Sequence, residues 1–329
     1  MFSLCPVFIL GSPDILDTLD IDEVHISLPR NHFYTDDINL TKIDTLSLDK
    51  HSNLSLGELL SITSNIHVHS NGKGGFVAGA FIRGTNSYQT SVNWNGFPVN
   101  PSTLGTYDLS TVNPGMIQNI TINYGASASL YGTGTFGGAI DLDNHADWDN
   151  TLKIKINGSA GNINEYSNTY TIQTGTNSFQ SHTTLHHHSG KLNFPFRHDL
   201  TGEIVKQNHN KLKNLAFMQN FFFKAKNSNV HTGIWINNKY KEIPPVSGPG
   251  TDDYDFQRDS TVKVYLKWLK IFSKSSIQFN SAYFYDYQRY TQYFEDSSAF
   301  NHFPSIKTGK AIAEVYYRYY LNDFVVFDL

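Results

Sequence analysis

From about residue 150 onward the chain alternates apolar and polar residues in segment after segment, and this pattern constrains its fold more than any other feature. In 262–268, Val262, Val264, Leu266 and Trp268 share one side of an extended chain, opposite Lys263, Tyr265 and Lys267. In 152–157, Leu152, Ile154 and Ile156 alternate with Lys153, Lys155 and Asn157. In 277–288, Ile277, Phe279, Tyr283, Tyr285 and Tyr287 oppose Gln278, Asn280, Asp286 and Gln288; in 311–321, Ala311, Ala313, Val315, Tyr317, Tyr319 and Leu321 oppose Lys310, Glu314 and Arg318. A period of two is that of a β-strand, whose successive side chains leave opposite faces. Weaker versions at 166–174, 179–187, 213–225 and 229–237, and a start near Phe324, predict nine strands in all.

The links between these segments sort by length. Short ones (Gly175–Ser178, Lys226–Asn229, Ser273–Ser276) interleave with long ones (Ser189–Lys211, Lys239–Ser260, Arg289–Lys307), and only Gly161–Glu165 is short where a long link is due. Outer-membrane barrels join their strands by short periplasmic turns and long external loops, whereas a soluble sandwich has no reason to sort loops by parity. Strands of about 10–13 residues suit a tilted bilayer crossing. Nine strands alone would leave an open edge in lipid, where each unpaired backbone group costs several kcal/mol. The expectation is therefore part of a larger barrel of about 22 strands, or a non-functional truncated product.

Composition narrows the alternatives. Charged residues make up 16% and aromatics 14% of the 329 residues, with a mean hydropathy of −0.36; apolar and polar residues that alternate average out in this way. There is no run of about 18 apolar residues to form a spanning helix. A net charge of −4 with scattered Lys and Arg argues against a nucleic-acid partner. The single Cys5 excludes an internal disulfide. Residues 1–12, MFSLCPVFILGS, read either as the remnant of a secretory signal or as an ordinary buried strand. Residues 13–50 are acidic and polar, 51–147 are dense in Gly with one helix-like stretch, and 148–329 carry the strands.

The Gly-dense zone holds an ordered motif series: Leu56-Gly57-Glu58-Leu59-Leu60; Gly72–Gly75; Ile82-Arg83-Gly84; Val92-Asn93-Trp94-Asn95-Gly96; Asp108 ahead of Leu109; Ile120–Gly125; Ala128-Ser129-Leu130-Tyr131-Gly132; and Gly137-Gly138-Ala139-Ile140. This series resembles the plug domain of TonB-dependent outer-membrane receptors, and the match runs from Leu56 to Asn144. Asp147-Trp148, Asn193-Phe194-Pro195, and Trp235 followed by Glu242-Ile243-Pro244-Pro245 resemble the vitamin B12-receptor branch of that family. The fold class expected is a mixed α/β plug followed by an antiparallel transmembrane β-barrel.

Physical readings stand beside the resemblance. Asn95-Gly96 between β-rich runs predicts a two-residue hairpin turn with positive φ at both positions. Gly132, Gly134, Gly137 and Gly138 permit tight turns that would let the plug pass close under the barrel wall. Arg83 is expected to reach a carboxylate, with Glu314 as a candidate, or to lie solvated at a strand end. In this family the plug arginine lies at the plug–barrel interface.

The resemblance also implies active import. Ligand would bind plug apices and external loops, and the TonB complex of the inner membrane would pull the plug's N-terminal segment. Polar, Tyr-bearing segments after apolar runs suggest the apices: Asn86, Ser87 and Tyr88, with Thr103, Thr106 and Tyr107. Asp22-Glu23-Val24-His25-Ile26 is the candidate TonB contact, in a stretch that also reads as a plain acidic linker. The ligand itself, whether a corrinoid, an iron–siderophore, haem or an oligosaccharide, is not legible, because fold does not fix function. A non-energised binding or adhesion barrel and a soluble carbohydrate-binding protein are the competing classes.

Other motifs carry less. Gly132-x-Gly134-x-x-Gly137 spells a dinucleotide fingerprint, but the residues after it alternate like a strand instead of opening a helix. His186 and His188 would share one face of a strand and His187 the other, with no carboxylate at a clear ligand spacing. Asp252, Asp253 and Asp255, in a long loop after Gly248-Pro249-Gly250, read as a calcium-binding cluster or as a solvated loop. No nucleophile–base–acid signature is present, so catalysis is not expected.

Overall fold

The computed structural model describes residues 40–70, 78–103, 105–125, 132, 134–148, 151–197, 201–243, 254–294, 299–322 and 325–328. The signal-like residues 1–12, Asp22–Ile26, the glycines 72–75, Tyr131, Asp252 and Asp253 all lie outside them.

The first unit is a small mixed sheet with two helices. In chain order it comprises β1 (Leu40–Ile43), α1 (Thr45–Lys50), α2 (Leu56–Thr63), β2 (His67–His69), β3 (Gly79–Phe81), β4 (Thr90–Trp94), β5 (Phe97–Pro98), β6 (Asn119–Tyr124) and β7 (Gly138–Asp143). The sheet order is β1-β6-β7-β4-β5, with β4 parallel to β7, and β2 pairs with β3 apart from it. β1 lies within the 13–50 zone by sequence, yet it closes one edge of this sheet, Ile43 opposite Ile120.

The helix at Leu56 forms where the sequence supplies a capping box. Ser55 Oγ accepts from the Glu58 amide at 3.3 Å, and Glu58 Oε2 accepts from the Ser55 amide at 2.8 Å, satisfying two amides that the first turn would leave bare. Leu56, Leu59 and Leu60, at i, i+3 and i+4, are fully buried in the core that also holds Ile82, Leu109, Ile120 and Ile140. The predicted hairpin turn is present, with φ of +49° at Asn95 and +84° at Gly96.

Gly138 occupies the left-handed region at φ +152°, and a Cβ there would run into the Asn123 carbonyl oxygen. A Cβ on Gly137 would meet the Thr85 hydroxyl. These glycines thus make room for the plug's own segments, and not, as expected, for the barrel wall. Gly138→Ala is expected to lose at least about 1–3 kcal/mol from backbone strain alone. Chemical denaturation of the chain in detergent would show it as an earlier unfolding midpoint.

The second unit is one large antiparallel sheet. Its strands are β8 (Leu152–Gly161), β9 (Glu165–Gly175), β10 (Phe179–Gly190), β13 (Leu212–Ala225), β14 (Ser228–Ile243), β15 (Tyr254–Ile271), β16 (Ser275–Phe294), β18 (Ile306–Asn322) and β19 (Val325–Asp328), each paired to the next. A small hairpin of β11 (Pro195–Arg197) and β12 (Ile204–Lys206) fills the first long loop, and β17 (Ala299–His302) pairs with β16 in the last. The nine predicted strands are all present, and among the described residues the sheet does not close on itself.

Several strands are longer than the alternation implied. β15 has 18 residues and β16 has 20, and their ladder runs from Tyr254–Tyr293 to Ile271–Ser276. Backbone pairing continues past the apolar band, since hydrogen bonds between strands do not require apolar side chains. Asp255 consequently lies in β15, not in a loop.

Burial on this sheet runs opposite to that of a soluble protein. Along β15, Val262, Val264, Leu266 and Trp268 are 36–38% exposed, whereas Lys263, Tyr265 and Lys267 are 2–6% exposed. On β8, Leu152, Ile154 and Ile156 are 60–67% exposed. In water this arrangement would waste apolar burial and bury lysines, each at a cost. It is the arrangement favoured when hydrocarbon covers the outer face and a polar-contacting domain fills the inner one. No helix among the described residues is long and apolar enough to cross a membrane.

Candidate functional site

The inner, polar face of the wall grips the plug at two levels. Near the short turns, the wall meets the Asn95–Gly96 hairpin. Asn95 donates to the Tyr265 hydroxyl at 2.9 Å, and that hydroxyl donates to Asn220 Oδ1 at 2.7 Å and contacts His231. Trp94 stands edge-on to Tyr265 and to Trp235, with ring centroids 4.7 and 5.4 Å away. Its indole N–H reaches Asn144 Oδ1 at 3.3 Å.

Toward the long loops, the wall meets residues 98–111. Asp108 caps a short 3-10 turn and accepts from the Ala78 amide at 2.9 Å, the Ser110 amide at 3.0 Å and the Ser110 hydroxyl at 2.6 Å. Its other oxygen pairs with Lys239 Nζ of β14 at 3.0 Å, and Lys239 also donates to Ser110 Oγ at 2.6 Å. Burial pushes the Asp108 carboxyl up, but Lys239, Lys241 and the Ser110 and Ala78 hydrogen bonds outweigh it and hold the group below its ordinary value. Nearby, Lys310 of β18 donates to the Pro98 carbonyl at 2.5 Å, and Asn237 of β14 to the Thr111 carbonyl at 3.0 Å.

The two segments expected at the plug apex are brought together on this long-loop side. Ser87 Oγ and Thr106 Oγ1 are 3.0 Å apart, and Asn86 donates to the Tyr88 hydroxyl at 2.8 Å. The loop before Thr106 is held by Asn100, whose amide donates to the Thr90 and Gly105 carbonyls at 3.0 and 2.7 Å. Tyr107 is buried, with Lys263 Nζ 5.9 Å from its ring centre, and burial raises its hydroxyl well above the ordinary value. Thr103, Thr106 and Tyr107 line a cleft of about 760 Å³, open mouth included, whose other side is the wall from Asn237 to Thr308.

Phe136 is the apical residue that motif reading missed. It is 71% exposed, and Tyr88 54%; the Gly134–Gly137 stretch is laid along residues 85–89, the Gly137 amide donating to the Gln89 carbonyl at 2.9 Å. The signal available was a lone aromatic within a Gly-Thr run, and nothing in that run sets its exposure.

The other residues singled out by their sequence context land differently. Arg83, at φ +52°, lies 5.9 Å from the ring centre of Tyr124, and among the described residues it has no carboxylate partner. Glu314 instead accepts from Tyr316 on its own strand at 3.0 Å, so the two are not joined. A Cβ on Gly125 would stand 3.2 Å from the Arg83 guanidinium, and Gly84 and Gly132 take positive φ in open turns.

His186 and His188 do face inward and His187 outward, but His188 has a carboxylate after all: Glu165 Oε1 lies 3.0 Å from its Nε2. The two are diagonal neighbours on β9 and β10, a spacing invisible until the register is known. Among the described residues no group of three His, Cys, Asp or Glu is placed to hold a metal. Asp255 accepts from the Tyr290 hydroxyl.

Comparison with known proteins gives likenesses of sequence and of fold. The family described as "TonB-dependent Receptor Plug Domain" matches residues 36–139. The chain is 31% identical over 85 residues to the vitamin B12 transporter BtuB of Vibrio vulnificus, and 33% identical over 88 residues to that of Vibrio cholerae. These stretches are 26% and 27% of this chain and 14% of each relative, so the match spans a small part of the relatives' length. Among solved structures, the siderophore receptor PiuA of Acinetobacter baumannii superposes with a TM-score of 0.61 at 13% identity, over 87% of this chain and 43% of that one. The ferric-catecholate import receptor Fiu of E. coli gives 0.60 at 12% identity, over 86% and 46%. These relatives are named as transporters and receptors, not as enzymes.

Proposed function

We propose that this chain, whose residues 36–139 match the TonB-dependent receptor plug family and lie against an antiparallel wall with the fold of barrel receptors, serves in energised uptake of a scarce ligand, a corrinoid such as vitamin B12 or an iron–siderophore, across the outer membrane of a Gram-negative bacterium. The observation that carries this reading is the inverted burial of the wall: apolar residues outward at 36–38% exposure, lysines inward at 2–6%, along one strand. Such a sheet suits lipid on one side and a plug on the other. The polar apex at Asn86–Tyr88 and Thr106, with the cleft beside it, supports ligand capture from the long-loop side.

In this reading the outward face contacts outer-membrane lipid. The segment before Leu40 reaches the periplasm, where Asp22–Ile26 meet the TonB complex. Residues 40–147 act as the plug, β1 and the first helix included, and 148–329 as barrel wall. The outer membrane has no nucleotide energy supply, so force has to arrive through that contact.

The test is uptake in cells expressing the chain, with and without residues 20–27, using labelled cyanocobalamin and a labelled ferric siderophore. Deletion is expected to abolish accumulation of the transported ligand while leaving its binding at the cell surface intact. Undiminished accumulation after deletion would contradict energised import and leave a static binding barrel.

A further inference from the structure

The wall's outward face carries a row of cations just past the long-loop end of its apolar band. The register sets Lys213 of β13 opposite Tyr240 of β14, Tyr240 opposite Arg258 of β15, and Arg258 opposite Arg289 of β16. Lys307 of β18 stands opposite Tyr287, one outward position nearer the band. Each cation keeps step along its strand with an exposed apolar residue: Lys213 with Leu215, Arg258 with Val262, Arg289 with Tyr283, Lys307 with Val315. All four are themselves exposed. We infer that this row binds the phosphates of an outer-leaflet lipid headgroup, an inference that rests on the proposal that the apolar face meets lipid.

Charge is the first argument. Like charges directly opposite each other on neighbouring strands destabilise a sheet, and Arg258 and Arg289 are so placed. Among the described residues neither is ion-paired. The carboxylate nearest in register on this face, Glu242, is diagonal to Arg258, and it accepts from the Lys211 amide at 3.0 Å and the Tyr240 hydroxyl at 3.1 Å. An anion seated between the two guanidiniums would turn their repulsion into two forked contacts, the geometry that suits phosphate. Aromatic rings already orient both groups. The Arg258 guanidinium lies 5.7 and 5.6 Å from the ring centres of Tyr240 and Phe256, and that of Arg289 lies 5.9 Å from Tyr287.

Height and width identify the partner. The uppermost apolar row runs through Phe217, Ile236, Val262 and Tyr285. From Val262 to Arg258 is about 14 Å along the strand, or about 10 Å along the membrane normal at the usual barrel tilt. Headgroups add about 5–8 Å to each side of the hydrocarbon, a level that Arg and Lys reach by bending their stems along the wall. From Lys213 to Arg289 is three strand spacings, about 14 Å. That is too wide for one phosphate and leaves room for two, so the row fits a headgroup bearing more than one.

Native mass spectrometry of the full chain in zwitterionic detergent tests this by counting retained lipid. The probes are diphosphoryl lipid A, its monophosphoryl form and phosphatidylglycerol, with inorganic phosphate as competitor. Wild type should retain the diphosphoryl form in preference to the other two, and excess inorganic phosphate should not displace it. Arg258→Gln with Arg289→Gln should weaken retention at least about tenfold, and Arg258→Lys with Arg289→Lys should recover part of it. Lys213→Gln should erase the preference for two phosphates over one. Because the Gln pair removes facing like charges, it should not lower the unfolding midpoint in lipid-free detergent. A lower midpoint, equal retention of all three lipids, displacement by inorganic phosphate, or retention unchanged in the Gln pair would each overturn the headgroup site. A spin label at position 262 in phosphatidylcholine vesicles separates this from the reading beneath it. Free collision with oxygen there leaves the lipid-facing wall standing when the headgroup site fails; a label shielded from oxygen removes both.

Discussion

Replacing Trp94 by alanine is expected to destabilise the plug against its wall by about 3–5 kcal/mol, the range for truncating a buried Trp. The side chain is fully buried, packs edge-on against Tyr265 and Trp235, and anchors its N–H on Asn144. The Asn144 amide also donates to the Asn95 side chain, and its own side chain donates to the Met116 carbonyl, so one cavity would loosen the hairpin and the end of β7 together. Protease digestion of the chain in detergent checks this. The plug of Trp94→Ala should be cut at much lower denaturant concentration than wild type, while strands β13 to β16 stay protected. Trp94→Phe should recover part of the loss, because it keeps the ring contacts and gives up the N–H. A plug as resistant as wild type would mean that this aromatic contact does not hold it.

Lys239→Met is expected to cost about 3–5 kcal/mol, as removal of one partner from a buried pair does. The substitution leaves Asp108 buried with its charge partly uncompensated, and strips Ser110 of a donor as well. A double change, Lys239→Met with Asp108→Asn, should return part of the loss, since it removes the uncompensated charge and keeps an oxygen that accepts from the Ala78 and Ser110 amides. The same pair sets an acid-side response. Because the folded Asp108 carboxyl is held below its unfolded value of about 3.9, its contribution is fully present above that pH. It fades as pH falls through the lower, folded value. Wild type should therefore lose plug stability below about pH 4, and Lys239→Met should lose less over that interval. Chemical denaturation at pH 7 and pH 3 measures both effects.

Much of the wall was legible because its signal is short-range. Val262–Trp268 announce a strand and its apolar, outward face without reference to any other segment, and loop parity adds the antiparallel order. The plug was legible for another reason. Its turns depend on residue-specific backbone geometry, as at Asn95-Gly96, and its helix on the Ser55–Glu58 box, which survive as motifs.

Contacts across the chain were not legible. β1 carries four residues, Leu-Thr-Lys-Ile, too few to show a period, and it becomes a strand because β6 offers an edge. The Glu165–His188 contact needs the β9–β10 register, and Arg83, at positive φ, lies 5.9 Å from the ring centre of Tyr124, a placement its motif does not encode. Asp108 stood out in the motif series, yet its partner sits 131 residues later on β14. Lys239 fell in the long link after the 229–237 alternation, and only the strand's extension to Ile243 turns it into the wall.

The central claim is that the wall's apolar side faces lipid and its polar side faces the plug. Single cysteines placed in turn at 262 to 268, in a Cys5→Ser background of the chain reconstituted in lipid and spin-labelled, test it directly. Labels at 262, 264, 266 and 268 should collide freely with oxygen, which partitions into hydrocarbon, and those at 263, 265 and 267 with neither oxygen nor a water-soluble nickel chelate. Uniform accessibility along the strand, or chelate access at the even positions, would contradict the account.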